Sequence, residues 1–446
     1  LARHAAASAG PATAPEAIPY VVAAARAAEA AGSWREAAIQ WRSALRLHAM
    51  VGGSAVELLA PAVGAHARAG DFVRAREIYL GAVAGHDDVA VLTAWDAPLI
   101  WTTRDGRPPS TSAVDAIRRR LDQAPAAGTR VRLLLALFRE LEGFDDGAAA
   151  AISAEAVALA RTLNEPRLLC AALNVRAYAA LGPDLRAERR AAAEEYLACA
   201  EAAGEIDHEA VAHWLLFLES AARTDLAGAR AEMDRAVARS TTGQLSSLLA
   251  VVATFSALLE LLAGRVDEAV DRYAEIGRRL TEHGAINGGM MATIGRLGAA
   301  VARGNLAPLL DELLAVEAGY PGQVTDALVL ALLDAGDAER ARAVWATRQP
   351  IDRNYYWLGY TTLRGHAAAR LGDAATGQAV LAELRPFAGR IAGLDSGTLY
   401  AGPVDAALAA LTGDPAWAES AAALTATLTG RRTPPVPAGG TAAGTA

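Results

Sequence analysis

The chain has 446 residues, a formal net charge of −8 and 42 basic residues, all of which are Arg. Because it contains no Lys, it cannot carry a Walker A phosphate loop or form a Schiff base through a Lys amine. Its Arg residues lie among carboxylates and form no concentrated basic stripe, which argues against direct binding to nucleic acid.

A short pattern of Gly, Ala five residues later and an aromatic nine residues later recurs along the chain. Its clearest copies are Gly32-Ala37-Trp41, Gly70-Ala75-Tyr79, Gly264-Ala269-Tyr273 and Gly336-Ala341-Trp345. The pattern predicts two helices joined by a tight turn, with Gly in the left-handed conformation that ends the first helix. Asp71, Asp337 and Asp373 are placed to cap the second helix. The small Ala lets the two helices approach closely, and the bulky residue fills the gap to the next pair.

Weaker copies extend the pattern over most of the chain, with turns about 38 residues apart on average. The predicted turn positions are Gly32, Gly70, Gly106, Gly143, Gly182, Thr224, Gly264, Gly304, Gly336, Gly372 and Gly413. This period lies between those of tetratricopeptide and HEAT or armadillo repeats, and the Gly–Ala–aromatic code favours the tetratricopeptide type.

We therefore predict an all-α, tetratricopeptide-like solenoid over residues 1–430, a right-handed superhelix of about eleven helical hairpins with a concave inner groove. The copy at Gly106 is interrupted by Pro108 and Pro109, so a seam is possible near residues 102–112. Residues 431–446 show no apolar periodicity and are predicted to be a disordered tail.

No charge-free apolar run of about 18 residues occurs, so we predict no membrane span and no membrane partner. Cys170 and Cys199 show no CxxC spacing and are predicted to be buried apolar residues on different hairpins. The lack of a disulfide framework fits a reducing cytoplasm, where we expect the protein. The sequence begins at Leu1 without a signal sequence, and we expect it to be a fragment of a longer protein.

Enzyme motifs fail on their spacing, so we predict no catalytic residue, no metal site and no enzyme activity. His208 and His213 are five residues apart, whereas the zinc motif HExxH requires four, and we expect a surface or inter-helix pair instead. The sequence GLDSG at 393–397 displaces Ser396 from the position of a nucleophile elbow, and Asp395 and Ser396 are predicted to cap a helix. The stretch INGGMMATIG at 286–295 lacks the GxGxxG order.

The strongest candidate for ligand or partner binding is RNYYWLGY at 353–360, which concentrates aromatic residues in a chain that is only 5% aromatic. The candidate residues are Arg353, Asn354, Tyr355, Tyr356, Trp357 and Tyr360. In a helix, Tyr356 and Tyr360 share one face. Such a cluster is more often core between repeats, and the alternative is a set of rings that stack on a ligand.

The run YWLGYTTLRGHAAARLGDAATGQAVLAELRPFAGRIAGLDSGTLYAGPVDAALAALTGD at 356–414 resembles the end of the tetratricopeptide region of large actinobacterial regulators. Those proteins combine a SARP-type or LuxR-type DNA-binding module, a STAND-type ATPase and a helical-repeat tail, and related class III cyclases share a similar tail. The opening LARHAAASAG and the following AIPYVVAAARAAEAAGSWREAAIQWRSALRLH are similar to the junction between ATPase and repeats.

The resemblance implies a sensor and autoregulatory arm whose partners are the ATPase and DNA-binding domains of the parent chain, with an effector or partner protein in the groove. It implies no cofactor in this segment, since ATP would bind to the upstream ATPase. The alternative is a constitutive scaffold that docks a partner peptide without any small-molecule effector.

Overall fold

The computed structural model describes residues 4, 7–101, 108–243, 245–282, 284–285 and 288–429. This part of the chain contains 22 α-helices and no β-strand, so the prediction of an all-α protein is confirmed. None of the described helices combines the length and the apolar character needed to cross a membrane. Gly106, most of the predicted seam and the predicted tail at 431–446 lie outside the described residues.

The first eleven helices are α1 (Ala14–Ala30), α2 (Trp34–Val51), α3 (Val56–Arg68), α4 (Phe72–Gly85), α5 (Val89–Leu92), α6 (Thr111–Asp122), α7 (Ala127–Leu141), α8 (Asp146–Ala160), α9 (Pro166–Ala179), α10 (Arg189–Ala203) and α11 (Ile206–Ala222). The others are α12 (Leu226–Thr242), α13 (Ser246–Leu262), α14 (Val266–Glu282), α15 (Gly288–Arg303), α16 (Leu310–Gly319), α17 (Thr325–Asp334), α18 (Ala338–Ala346), α19 (Trp357–Leu371), α20 (Ala374–Leu384), α21 (Val404–Thr412) and α22 (Pro415–Leu428). Short 3₁₀ turns lie at Ala307–Leu309, Arg385–Phe387 and Leu394–Ser396.

Each helix packs mainly on its neighbours in the chain. Consecutive helices contact each other along most of the sequence, and alternate helices also touch, as in the series α7, α9, α11 and the series α17, α19, α21. The side chains at these contacts are largely Ala, Leu and Val, so each apolar helix face is covered by the helices next to it.

The predicted turn positions can be compared directly with the backbone. Nine of the eleven have positive φ: Gly32, Gly70, Gly143, Thr224, Gly264, Gly304, Gly336, Gly372 and Gly413. Thr224 adopts φ 62° although it has a side chain, which costs roughly 1–2 kcal/mol. The register of the repeat therefore predicts the turn even where Gly is missing.

Gly182 is the exception, and its prediction as a left-handed turn is wrong. A Cβ added to Gly182 would lie 2.5 Å from the carbonyl oxygen of Arg353. The residue has no side chain because a distant part of the backbone approaches it, and the link from α9 to α10 is longer than a tight turn. A glycine at this position lets the loop after α9 pack closely against the backbone at Arg353.

The rest of the repeated pattern has the predicted local structure. The carboxylates of Asp71, Asp337 and Asp373 each accept a hydrogen bond from the backbone N–H three residues later, at 3.3, 3.0 and 3.0 Å. The small and bulky residues of the four clearest copies are all buried: Ala37, Trp41, Ala75, Tyr79, Ala269, Tyr273, Ala341 and Trp345. The prediction of capped helices packed through these positions is confirmed.

Residues 391–403, called here the inner segment, run through the interior of the helical array without forming an α-helix. All thirteen residues are buried. The ends of the segment are held together by a bridge between Ile391 and Pro403 and by a hydrogen bond from the Ala392 N–H to the Gly402 carbonyl at 2.9 Å. The segment is therefore a closed loop whose side chains pack against the surrounding helices.

The inner segment is attached to helices far away in the sequence. The Arg189 guanidinium on α10 donates to the Asp395 carboxylate at 2.9 Å, and the Tyr273 hydroxyl on α14 donates to the Thr398 carbonyl at 2.6 Å. Gly397 lies against Leu218 and Phe217 on α11. The prediction that Asp395 and Ser396 cap a helix is wrong, because Asp395 pairs with Arg189 and the Ser396 hydroxyl bonds within the loop itself.

Candidate functional site

A cavity of about 390 Å³ lies between α15, α17, the start of α19 and the loops that precede α8, α17 and α19. Its wall contains six aromatic side chains in a chain with few aromatics: Trp101, Phe144, Tyr320, Tyr355, Tyr356 and Tyr360. Phe144 is 62% exposed and lies at the rim. Leu399 closes the cavity on the side of the inner segment.

Four of the six candidate residues predicted from RNYYWLGY line this cavity. Asn354, Tyr355, Tyr356 and Tyr360 contribute to its wall. Asn354 also holds the start of α19, since its side-chain oxygen accepts a hydrogen bond from the Tyr356 N–H at 2.9 Å. The ring centroids of Tyr356 and Tyr360 are 5.7 Å apart, as expected for residues one helical turn apart on the same face.

The other two candidates lie outside the cavity wall. Trp357 is buried and packs on Phe387, with ring centroids 5.5 Å apart, so it belongs to the core. The Arg353 guanidinium is bound to the carboxylate of Asp184 at 2.6 Å and lies over the Trp357 ring. The same stretch of sequence therefore supplies both core and cavity wall, with the division falling between neighbouring residues.

The hydroxyls of Tyr355, Tyr356 and Tyr360 are neutral hydrogen-bonding groups. Burial raises the pKa of Tyr356 to about 12, and it raises the pKa of Tyr355 and Tyr360 as well. The Tyr356 hydroxyl lies 3.2 Å from the Thr398 hydroxyl of the inner segment. The wall thus offers half-buried rings for stacking and phenol groups that can donate to a ligand.

The charged groups among the described lining residues are carboxylates: Glu142, Asp326 and Asp352. Burial raises the pKa of Asp326, although its carboxylate is 3.0 Å from the Arg364 guanidinium, which opposes that shift. Partial desolvation and the nearby Asp146 raise the pKa of Asp352. Acidic groups disfavour an anionic ligand, so this wall is suited to a neutral or cationic molecule with an apolar ring.

Sequence reasoning did not identify the other aromatic residues of the wall. Trp101, Phe144 and Tyr320 are isolated in sequence, and each lies in a loop or at a helix end. Only the packing of distant helices brings them beside Tyr356. A useful signal would have been the combination of Tyr, Pro and Gly at 320–322, which marks an interrupted helix end.

The two histidines of the sequence HEAVAH contact different helices. His208 hydrogen-bonds the Tyr196 hydroxyl on α10 at 2.7 Å, whereas His213 hydrogen-bonds Glu232 on α12 at 2.8 Å. They are inter-helix contacts, as one of the sequence interpretations expects. Burial lowers the pKa of His208 to about 4.

Stability is expected to fall as the pH decreases from about 6.5 to about 4, partly because of His208. In this window the unfolded chain binds a proton on His208 and the native state does not, so protonation favours unfolding. The native environment of His208 contributes up to about 3 kcal/mol to this loss at pH 4. Denaturant unfolding of the wild type and His208→Gln between pH 7.5 and 4 measures it.

The variant His208→Gln should lose less stability on acidification than the wild type. The exposed His4 provides a matched control, and His4→Gln should reproduce the wild-type profile. Parallel profiles for His208→Gln and the wild type would contradict the buried, neutral state of His208.

No family model and no curated protein sequence matches this chain. Within the described ranges, no group of three or more His, Cys, Asp and Glu side chains is arranged to hold a metal ion.

Proposed function

We propose that this chain is a non-catalytic sensor and autoregulatory domain of an ATPase-containing transcriptional regulator, and that a small-molecule effector binds in the aromatic cavity. In this proposal the 22 helices form eleven tetratricopeptide-like hairpins stacked in a right-handed superhelix. ATP binds to an upstream ATPase of the parent chain, and the partners of the domain are that ATPase and the DNA-binding module, all in the cytoplasm.

The observation that carries the proposal is the position of the predicted aromatic cluster. Tyr355, Tyr356 and Tyr360 line a cavity whose volume, about 390 Å³, is in the range of small-molecule sites. A tightly packed core leaves few voids larger than a water molecule. Rings that border a space of this size are available to a ligand.

The inner segment favours a small effector over a docked peptide. It is buried against α10, α11 and α14, so the chain itself already covers those faces of the three helices. A partner peptide that docked on these faces would have to displace thirteen buried residues. A small molecule can enter the remaining cavity without doing so.

The same contacts provide a route for regulation. Tyr356 touches the inner segment through Thr398, and Leu399 of that segment forms part of the cavity wall. An effector that binds better to one arrangement of these residues would shift the population toward it. The inner segment would then transmit occupancy of the cavity to α10 and α14, which hold it.

A thermal-stability screen tests this function. The purified fragment is melted with neutral and cationic aromatic metabolites in one arm and with partner peptides in the other. We expect a metabolite to stabilise the fragment, by about 2.7 kcal/mol at a concentration of one hundred times its Kd. Stabilisation by peptides alone would contradict the sensor and support the constitutive scaffold.

A further inference from the structure

The two cysteines of the chain lie next to each other. Cys170 is on α9 and Cys199 is on α10, which are consecutive helices in contact. Their Sγ atoms are 3.2 Å apart. The two helices flank the predicted turn at Gly182, so the prediction that the cysteines lie on different hairpins is wrong. The prediction of burial holds for Cys170, whereas Cys199 is half-buried.

We infer that Cys170 and Cys199 are a site of reversible oxidation, at which a hydroperoxide closes a disulfide between α9 and α10. A disulfide requires an S–S distance of about 2.05 Å. The sulfur atoms must therefore approach by only about 1.2 Å, a movement that side-chain rotation and a small helix shift can supply.

The two thiols differ in accessibility, which assigns their order of reaction. Cys199 is half-buried and can meet an oxidant, whereas Cys170 is buried. Burial, the adjacent Cys199 and the carboxylates of Glu205 and Asp207 raise the pKa of Cys170. Cys199 is thus the attacking residue and Cys170 is the resolving one.

The reaction balances with hydrogen peroxide as the only oxidant. The Cys199 thiolate attacks one peroxide oxygen, the O–O bond breaks, and Cys199 sulfenic acid forms with release of one water after protonation. Cys170 then loses its proton and attacks the Cys199 sulfur, and the S–O bond breaks to release a second water. The two thiols lose two electrons in total, and a dithiol reductant restores them.

Peptide mapping of the peroxide-treated fragment tests this site. The folded wild type is treated with hydrogen peroxide, alkylated and digested. We expect a peptide pair that links residues 170 and 199, two hydrogen atoms lighter than the reduced pair, and its loss after dithiothreitol. The protein should remain a monomer on a non-reducing gel.

Single variants separate the two roles. In Cys170→Ser, Cys199 should stop at sulfenic acid, which dimedone traps. In Cys199→Ser, Cys170 should react with peroxide at least about tenfold more slowly than Cys199 does. The wild-type map needs no variant, so it decides the question even if a variant does not fold. The inference is overturned if the wild type gives only intermolecular dimers, only over-oxidised Cys199, or two thiols that both still alkylate.

Discussion

Replacing Arg189 by Met is expected to lower the free energy of unfolding by about 3–5 kcal/mol. Arg189 is buried on α10, and its guanidinium contacts the buried carboxylate of Asp395 at 2.9 Å. Its Nε atom also lies 3.6 Å from Glu219. Met keeps most of the side-chain volume, so the variant mainly removes the positive charge.

The large effect has a clear electrostatic origin. Without Arg189, Asp395 and Glu219 stay buried as two carboxylates with one cation fewer between them. Burial already raises the pKa of Asp395 against the opposing effect of Arg189. Removal of Arg189 should raise it further, so the stability deficit of the variant should shrink as the pH falls and Asp395 takes up a proton.

Denaturant unfolding at pH 7.5 and pH 5 measures both effects. The matched control is Arg161→Met, because Arg161 and its partner Glu195 are both about half exposed. Such a surface pair contributes only about 0–1 kcal/mol. Equal losses in the two variants would show that Arg189 does not anchor the inner segment.

A second check comes from the double variant Arg189→Met/Asp395→Asn. It removes both members of the pair, so it should be less destabilised than the sum of the two single variants. Additive losses would contradict a direct interaction between these residues.

The sequence predicts the local structure well because the turn chemistry repeats. The register alone predicts a turn at Thr224, and this residue has the left-handed backbone that the pattern requires. Asp71 and Asp337 cap helices for the same local reason. The prediction of a left-handed turn at Gly182 is wrong because this residue lacks a side chain for another reason. The carbonyl of Arg353, far away in the sequence, approaches it too closely for a Cβ.

The site is only partly predictable. RNYYWLGY is conspicuous because its aromatic residues are adjacent, whereas Trp101, Phe144 and Tyr320 approach it only in three dimensions. The inner segment is harder still, since no periodicity marks an irregular buried loop. Its burial depends on contacts such as Arg189 with Asp395, which join residues that are 206 positions apart.

The second large effect is expected on ligand binding. Replacing Tyr356 and Tyr360 by Ala removes two neighbouring rings from the cavity wall. Aromatic contacts contribute about 0.5–1.5 kcal/mol each beyond their buried area. The loss of both ring contacts, together with the loss of the apolar area that they bury against the effector, should weaken effector binding by at least about 100-fold. Because both side chains are only half-buried, the variant should keep its helical fold.

The control for this variant is Tyr20→Ala. Tyr20 is 55% exposed on α1 and is not part of the cavity wall. It undergoes the same chemical change without touching the proposed site, so it should bind the effector as the wild type does. Circular dichroism confirms that each protein is folded before binding is measured.

Calorimetric titration of the three proteins with the compound that most stabilises the wild type in the thermal screen tests the effector site most directly. We expect one site per chain in the wild type and in Tyr20→Ala, and binding at least about 100-fold weaker in the folded Tyr356→Ala/Tyr360→Ala variant. Unchanged affinity in that variant would mean that the effector does not bind between these rings. Failure of the variant to fold would mean that the rings are part of the core.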